Sequence, residues 1–206
     1  MSKVLIVANG EWPRQFDLET VGTYRVVVAL DGAANRLIGS KMIPDILLGD
    51  LDSVSESVLE QCKASGVTIV HTSDQQSSDI SKGLEWVQRT YPDSEVDIIG
   101  VEIGRYDHHL AAYSALFECK SDATILLDGW QARRVSQTPS DIETKPNSIF
   151  SLIPFGDVTG ATIKGCQFSL DNESLTTGTR GISNIATGHS ITVSVKSGDL
   201  LLLIMR

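Results

Sequence analysis

Residues 24–53, YRVVVALDGAANRLIGSKMIPDILLGDLDS, decide the fold class of this chain. Two short runs rich in Val, Ile and Leu, at 24–30 and 45–50, enclose a helical pattern at 33–40. Continuous apolar runs of this kind are typical of parallel strands that helices cover on both faces. The strand–helix–strand order therefore predicts an α/β unit with a mostly parallel sheet.

The same alternation extends over the first 130 residues, whereas the rest of the chain has a different pattern. Further apolar runs predict strands at 3–9, 67–72, 95–102 and 123–129, and helical patterns lie between them at 55–66, 78–91 and 108–121. We therefore predict an α/β domain over residues 1–130, with a mostly parallel sheet flanked by helices.

The later segments are short and β-rich, without a helical pattern, and Gly, Asn, Asp and Ser separate them. They predict a small all-β sandwich or roll domain over residues 131–206. The last segment, ITVSVKSGDLLLLIM at 191–205, predicts a hairpin that turns at Ser197, Gly198 and Asp199.

Composition restricts the class of function. Of the 206 residues, 41% are hydrophobic and 21% are charged, which is typical of a folded globular protein. The formal net charge of −9, without a cluster of Lys and Arg, argues against nucleic acid as a main partner. Three widely spaced cysteines, and the lack of a signal peptide or a long apolar run, favour a cytoplasmic protein that does not cross a membrane.

Polar side chains follow four of the predicted strands, at the point where each strand ends. Because the carboxyl ends of parallel strands meet at one edge of a sheet, we expect five or six carboxylates and one arginine to lie together there. Two carboxylates two residues apart on an extended segment project to the same side, so they can share a hard cation. The residues concerned are Asp31, then Asp50 and Asp52, then Asp74, Gln75 and Asp79, and finally Arg105 and Asp107.

These residues also have purely structural explanations. The alternatives are a helix cap at Asp31, a turn at Asp50 and Asp52 with Ser53, a solvent-exposed ion pair between Asp79 and Lys82, and a loop salt bridge between Arg105 and Asp107. The chain has no P-loop motif, so the charge of a bound nucleotide would have to be met by carboxylate-held Mg²⁺ with Lys82 and Arg105. That arrangement is typical of phosphoryl-type transfer.

Four motifs, in order, resemble those of the thiamine pyrophosphokinase family: DGAANRL at 31–37, PD at 44–45 with GDLDS at 49–53, DQ at 74–75 with SD at 78–79 and Lys82, and GRYDH at 104–108. The later GISN segment at 181–184 resembles the thiamine-binding domain of that family. The resemblance implies transfer of a pyrophosphoryl group from ATP to the hydroxyl of thiamine, which gives thiamine diphosphate and AMP. It also implies Mg²⁺, a homodimer, and a site at the subunit boundary.

The resemblance further implies roles for single residues. ATP would lie on the α/β domain, with Asp50, Asp52 and Asp79 around the metal and Asp31 nearby. The residues that would meet phosphate oxygens are Gln75, Lys82 and Arg105, with Asp107 orienting the arginine or the attacking hydroxyl.

Thiamine would be bound by the β domain. Ser183 and Asn184 would contact the aminopyrimidine, and Phe168 would stack on it. The structural alternatives are a turn at Ser183 and Asn184 and a core position for Phe168. Two rival functions remain at this point, which are a pyrophosphokinase for another hydroxymethyl heterocycle such as a pterin, and a non-catalytic nucleotide or thiamine sensor.

Overall fold

The computed structural model describes residues 2–74, 76–102 and 105–206, and the chain folds as two units. The first, Met1–Asp128, is called the α/β unit below, and the second, Gly129–Arg206, the β unit. The sequence placed this boundary after residue 130. No helix of the described residues is long and apolar enough to span a membrane.

The α/β unit contains a parallel sheet with strand order β4–β3–β2–β1–β5–β6. The helices between the strands agree with those predicted, except that the last begins at Tyr106 instead of at His108. A short 3-10 helix, Leu18–Thr23, follows the first strand. The strands are β1 (Lys3–Val7), β2 (Val26–Leu30), β3 (Ile46–Gly49), β4 (Thr68–His71), β5 (Glu95–Ile99) and β6 (Thr124–Leu127), and the helices are α1 (Ala33–Gly39), α2 (Glu56–Ala64), α3 (Asp79–Thr90) and α4 (Tyr106–Glu118).

Strand β2 shows why this sheet has helices on both faces. Its five residues are all buried, and successive side chains point to opposite faces. Val27 and Ala29 pack in one core with α1 and α2 residues such as Leu37. On the other face α3 comes so close that a Cβ on Gly83 would lie 2.8 Å from Leu30. The predicted α/β fold is therefore confirmed.

The β unit is antiparallel in its described pairings and is organised around one long strand. That strand, β9, pairs with four others, and its buried side chains, among them Phe150, Leu152 and Ile163, form the core of the unit. The strands are β7 (Trp130–Arg134), β8 (Ser140–Glu143), β9 (Ile149–Lys164), β10 (Leu170–Leu175), β11 (Asn184–Ile185), β12 (Ser190–Ser194) and β13 (Ser197–Met205).

The hairpin predicted for residues 191–205 is wrong. Strand β12 pairs with β8 and with the end of β9, whereas β13 pairs with β7 and with an earlier part of β9. Gly198, assigned to the turn, lies inside β13, where a Cβ would come within 2.3 Å of the Asp157 carbonyl oxygen. The glycine is required by close approach to β9, so it does not mark a turn between β12 and β13.

Candidate active site

Asp31 directly follows β2 and is the buried member of the site. The residue is 6% exposed, and its side-chain Oδ1 has no hydrogen-bond partner among the described residues. Its backbone has a φ of +44°, a left-handed conformation that Asp adopts more readily than most residues. The N-cap of α1 is Gly32, without a side-chain cap, so the predicted alternative of a helix cap at Asp31 does not apply.

The turn after β3 carries the next two carboxylates. A Cβ on Gly49 would lie 2.9 Å from the Asp31 Cβ, so this position needs glycine for the two strand ends to meet. The expected extended conformation of Asp50–Asp52 is wrong, because Leu51 is left-handed with a φ of +68°. The Asp52 N–H donates to Asp50 Oδ1 over 3.4 Å, so a tight turn brings the two carboxylates together.

Asp31, Asp50 and Asp52 together form what we call the carboxylate centre. One carboxylate oxygen of each lies within 4.8 Å of the other two. Burial raises the pKa of Asp31, and the charge of Asp79 raises it further, whereas hydrogen bonds from Ser53 and Gly32 act in the opposite direction. Three carboxylates, one of which has a buried oxygen without a hydrogen-bond partner among the described residues, fit a hard divalent cation, which prefers oxygen ligands and offsets the cost of burying charge.

Asp79, which the sequence grouped with the metal ligands, begins α3 and is outside this set of three. Its Oδ1 lies 3.2 Å from Lys82 Nζ. The Lys82 side chain is only 8% exposed, so the pair is not the solvent-exposed one that the spacing allowed. The Asp79 carboxylate thus keeps a nearly buried ammonium group paired.

A bidentate ion pair joins Arg105 and Asp107 at the start of α4. Arg105 Nε donates to Asp107 Oδ1 over 3.1 Å, and Nη2 donates to Oδ2 over 2.6 Å. These bonds hold the pKa of Asp107 at about 2. Both side chains are largely exposed, so the guanidinium also faces solvent. Gln75 and Gly104, two other members of the predicted motifs, lie outside the described residues.

The β unit contains a cavity of about 260 Å³. Phe168, between β9 and β10, is 61% exposed and lines it, so the core position that the sequence allowed does not apply. The other apolar residues that line the cavity are Leu152, Leu170 and Ile182. Its polar wall includes Glu173, Arg180 and Asn184.

Asn184 holds the backbone of Phe168 in place. The Phe168 N–H donates to Asn184 Oδ1 over 3.1 Å, and Asn184 Nδ2 donates to the Phe168 carbonyl over 2.8 Å. Oδ1 also accepts from Ile185 N–H, and Nδ2 also donates to Cys166 Sγ. An asparagine side chain makes about four hydrogen bonds, so this one is fully used within the protein.

Ser183, predicted beside Asn184 as a substrate contact, is not among the described residues that line the cavity. It has a left-handed φ of +58°, and its N–H donates to Ser151 Oγ over 3.1 Å. This conformation turns the chain between Ile182, which lines the cavity, and the buried Asn184.

Sequence reasoning missed three polar residues. Glu173 and Arg180 form an ion pair on the cavity wall, seven residues apart. Arg180 directly precedes the GISN segment at 181–184, which could have drawn attention to it, whereas Glu173 belongs to none of the quoted motifs. Asn9 follows β1, and its Nδ2 lies 2.4 Å from where a Cβ on Gly32 would be. The rule that found the carboxylates, polar residues just beyond strand ends, could also have found Asn9.

We predict that Asp31→Asn stabilises the metal-free protein. Because the pKa of Asp31 is raised from its ordinary value of 3.8, the folded parent loses stability as pH rises through the interval above that value. Asparagine stays neutral and tolerates the left-handed backbone. In a chelating buffer, the melting temperature of the variant minus that of the parent should therefore increase between about pH 4 and pH 7.

Asp93→Asn, in an exposed turn of the same unit, is the control for the loss of one charge. Millimolar Mg²⁺ or Mn²⁺ should raise the melting temperature of the parent and of this control, but not that of Asp31→Asn. An Asp31→Asn variant that is less stable than the parent at pH 7, or one that keeps the metal response, would contradict the assignment.

Both units match known protein domains. Residues 19–127 match the thiamin pyrophosphokinase catalytic domain, and residues 140–200 match the thiamin pyrophosphokinase vitamin B1 binding domain. Thiamine pyrophosphokinase 1 of Oryza sativa subsp. japonica is 28% identical over 205 residues, which cover 86% of this chain and 77% of that protein. Thiamin pyrophosphokinase 1 of Caenorhabditis elegans is 32% identical over 141 residues, or 62% of this chain and 56% of that protein.

Solved structures share the fold. Thiamine pyrophosphokinase from Bacillus subtilis aligns with a TM-score of 0.81 at 25% identity, and the alignment covers 99% of each chain. A thiamin pyrophosphokinase family protein from Enterococcus faecalis aligns with a TM-score of 0.84 at 20% identity, over 100% of this chain and 99% of that one. Since the two matched domains together span most of the sequence, this chain belongs to the thiamin pyrophosphokinase family of enzymes, as its motifs predicted.

Proposed function

We propose that this enzyme transfers the pyrophosphoryl group of ATP to the hydroxyl of thiamine, with Mg²⁺ as its metal, and releases thiamine diphosphate and AMP. The observation that carries the proposal is the carboxylate centre, in which the buried Asp31 Oδ1 has no hydrogen-bond partner among the described residues. The family uses a nucleotide and binds thiamine, so the finer assignments concern ATP, Mg²⁺ and the residues that act on them.

In this proposal Asp31, Asp50 and Asp52 would hold the cation, and Asp79, at the start of helix α3, would lie near the metal and the phosphates. When bound, Mg²⁺ would mask the charge of the ATP phosphates and increase the electrophilicity of the phosphorus. The turn at Leu51 is needed because it brings the carboxylates of Asp50 and Asp52 close together. A protein with a net charge of −9 has particular need of such a cation when its substrate is an anion.

The cations of the α/β unit would bind phosphate oxygens. Lys82 is held beside Asp79 and Arg105 beside Asp107, and Gln75 is proposed to donate to the same phosphates. The thiamine hydroxyl attacks the β-phosphorus, and the bond from that phosphorus to the oxygen that bridges it to the α-phosphorus breaks. AMP leaves with the bridging oxygen, and the hydroxyl proton passes to water. Asp107, with a pKa of about 2, is a weak proton acceptor at neutral pH, so we assign it the orientation of Arg105.

Thiamine is assigned to the cavity of the β unit. Phe168 offers an exposed ring to a cationic heterocycle, and Asn184 fixes the backbone that carries the ring. Ser183 remains a proposed contact through its hydroxyl. The match of residues 140–200 to a vitamin B1 binding domain supports thiamine over the pterin alternative, and a non-catalytic sensor would not need the carboxylate centre.

We further propose that the enzyme is a cytoplasmic homodimer. The free cysteines Cys62, Cys119 and Cys166 suit a reducing compartment.

The dimer is supported by an apolar surface on α4. Tyr106 and Leu110 are largely exposed one turn apart on this helix, and a second subunit would remove this apolar surface from water. Sedimentation velocity at micromolar concentration should therefore give the mass of a dimer, and a fully active monomer would contradict this assignment.

We predict that the parent, given ATP, Mg²⁺ and thiamine, forms AMP and thiamine diphosphate in equal amounts. Asp52→Asn should lower kcat by about 100-fold, because it removes a charge at the carboxylate centre while the fold is retained. The control is Glu60→Gln, an exposed carboxylate on α2 that pairs with Lys63. Chromatography of the products, with circular dichroism of each variant, tests this. An Asp52→Asn enzyme with normal turnover would refute the metal assignment.

We also predict that Phe168→Ala raises the KM for thiamine by about tenfold, equivalent to about 1.4 kcal/mol, and leaves the KM for ATP unchanged. Asn184→Ala should act through Phe168, since its hydrogen bonds go to that backbone. The double variant should therefore raise the KM no further than Phe168→Ala alone, which a double-mutant cycle measures. Additive effects would mean that Asn184 contacts thiamine directly, and an unchanged KM in both variants would place thiamine elsewhere.

A further inference from the structure

The ion pair between Glu173 and Arg180 has no role in the mechanism above, although both residues line the cavity of the β unit. Glu173 lies on β10, and Arg180 lies in the loop before β11. A cavity for a small ligand usually has an apolar lining with a few placed polar groups, as this one has.

Both charged residues are positioned by backbone contacts. Glu173 faces Ala161 in the pairing of β10 with β9. Arg180 precedes Gly181, whose carbonyl accepts from Leu152 N–H over 2.9 Å. A Cβ on Gly181 would lie 2.7 Å from the Leu152 carbonyl oxygen, so the glycine lets the loop contact β9 closely. The pair is thus built into the wall of the cavity.

The two partners differ in their freedom to move. The Glu173 side chain is 39% exposed and belongs to a strand, whereas that of Arg180 is 61% exposed and belongs to a loop. A long arginine side chain can move its charged end into water at small cost. The carboxylate therefore stays at the wall when the pair separates, and the guanidinium is the partner that leaves.

We propose that Glu173 selects a positively charged ring in this cavity, and that the ring replaces Arg180 as its counterion. The proposal rests on the proposed function, because the thiazolium of thiamine carries a permanent positive charge. Phe168 on the same cavity favours a cation as well, through the negative face of its ring. A neutral ring cannot replace the guanidinium, so it gains neither interaction.

The exchange of counterions explains why the cavity has an ion pair and not a lone carboxylate. Without a ligand, Arg180 neutralises Glu173, so the carboxylate does not face the apolar lining unpaired. With a cationic ligand, one ion pair takes the place of another and the arginine becomes solvated. Arg180 then competes with the ligand, so its removal should favour the cation.

The test compares thiamine with its neutral isostere, in which a thiophene replaces the thiazolium and the hydroxyethyl group is kept. Discrimination is the ratio of kcat/KM for thiamine to kcat/KM for the isostere. Glu173→Gln should lower this ratio about tenfold, mainly through the KM for thiamine, while the isostere changes less than about twofold. Arg180→Gln should raise the ratio about two- to threefold, since the competing cation is gone.

Glu143→Gln, an exposed carboxylate on β8, controls for the change in net charge and should leave the ratio unchanged. Glu173→Asp should recover part of the discrimination. If Glu173→Gln and Arg180→Gln impair both substrates equally, the pair is structural and the proposal is overturned. A parent that forms no thiamine diphosphate would overturn the proposed function as well, whereas an active parent with unchanged discrimination in Glu173→Gln would overturn the charge selection alone.

Discussion

The close approach of Asp31 to Gly49 is the constraint on which the carboxylate centre depends. Neighbouring parallel strands bring the ends of β2 and β3 together, and only a residue without a Cβ leaves room for the Asp31 side chain. The carboxylate is therefore buried with an oxygen that lacks a partner among the described residues, which costs free energy in the absence of a cation. The fully buried apolar strand β2 offsets that cost, as stable scaffolds often do at functional sites.

The β unit presents an apolar ring to solvent by fixing its backbone. Phe168 lies outside the strands, and its N–H and carbonyl both bond to the buried Asn184 side chain. This arrangement resembles a strand pairing in which a side chain replaces the partner strand. Phe168 can remain 61% exposed because the position of its backbone does not depend on packing of the ring. A binding site that is positioned in advance loses less entropy when its ligand binds.

The sequence predicted what depends on local pattern and on topology. Buried runs and helix periodicity gave the α/β fold, and the rule for strand ends brought Asp31, Asp50 and Asp52 to one place. The predicted extended geometry between Asp50 and Asp52 was wrong, because a non-glycine residue, Leu51, takes a left-handed conformation that no sequence pattern signals. The predicted hairpin was wrong for a different reason. Both β12 and β13 pair with β9, and a local sequence pattern does not indicate which distant strand a segment pairs with.

The net negative charge of the chain is compatible with an anionic substrate because two cationic side chains of the α/β unit are each paired with an aspartate that a substrate anion could replace. Lys82 is paired with Asp79, and Arg105 with Asp107. In the proposed function, a phosphate oxygen that approaches either cation takes over an interaction that an aspartate already makes, so neither cation is unpaired before or after. The same exchange, with the signs reversed, is what we infer for Glu173 and the thiazolium. If both proposals hold, charge selectivity would follow from which partner of each pair is free to move, more than from net charge.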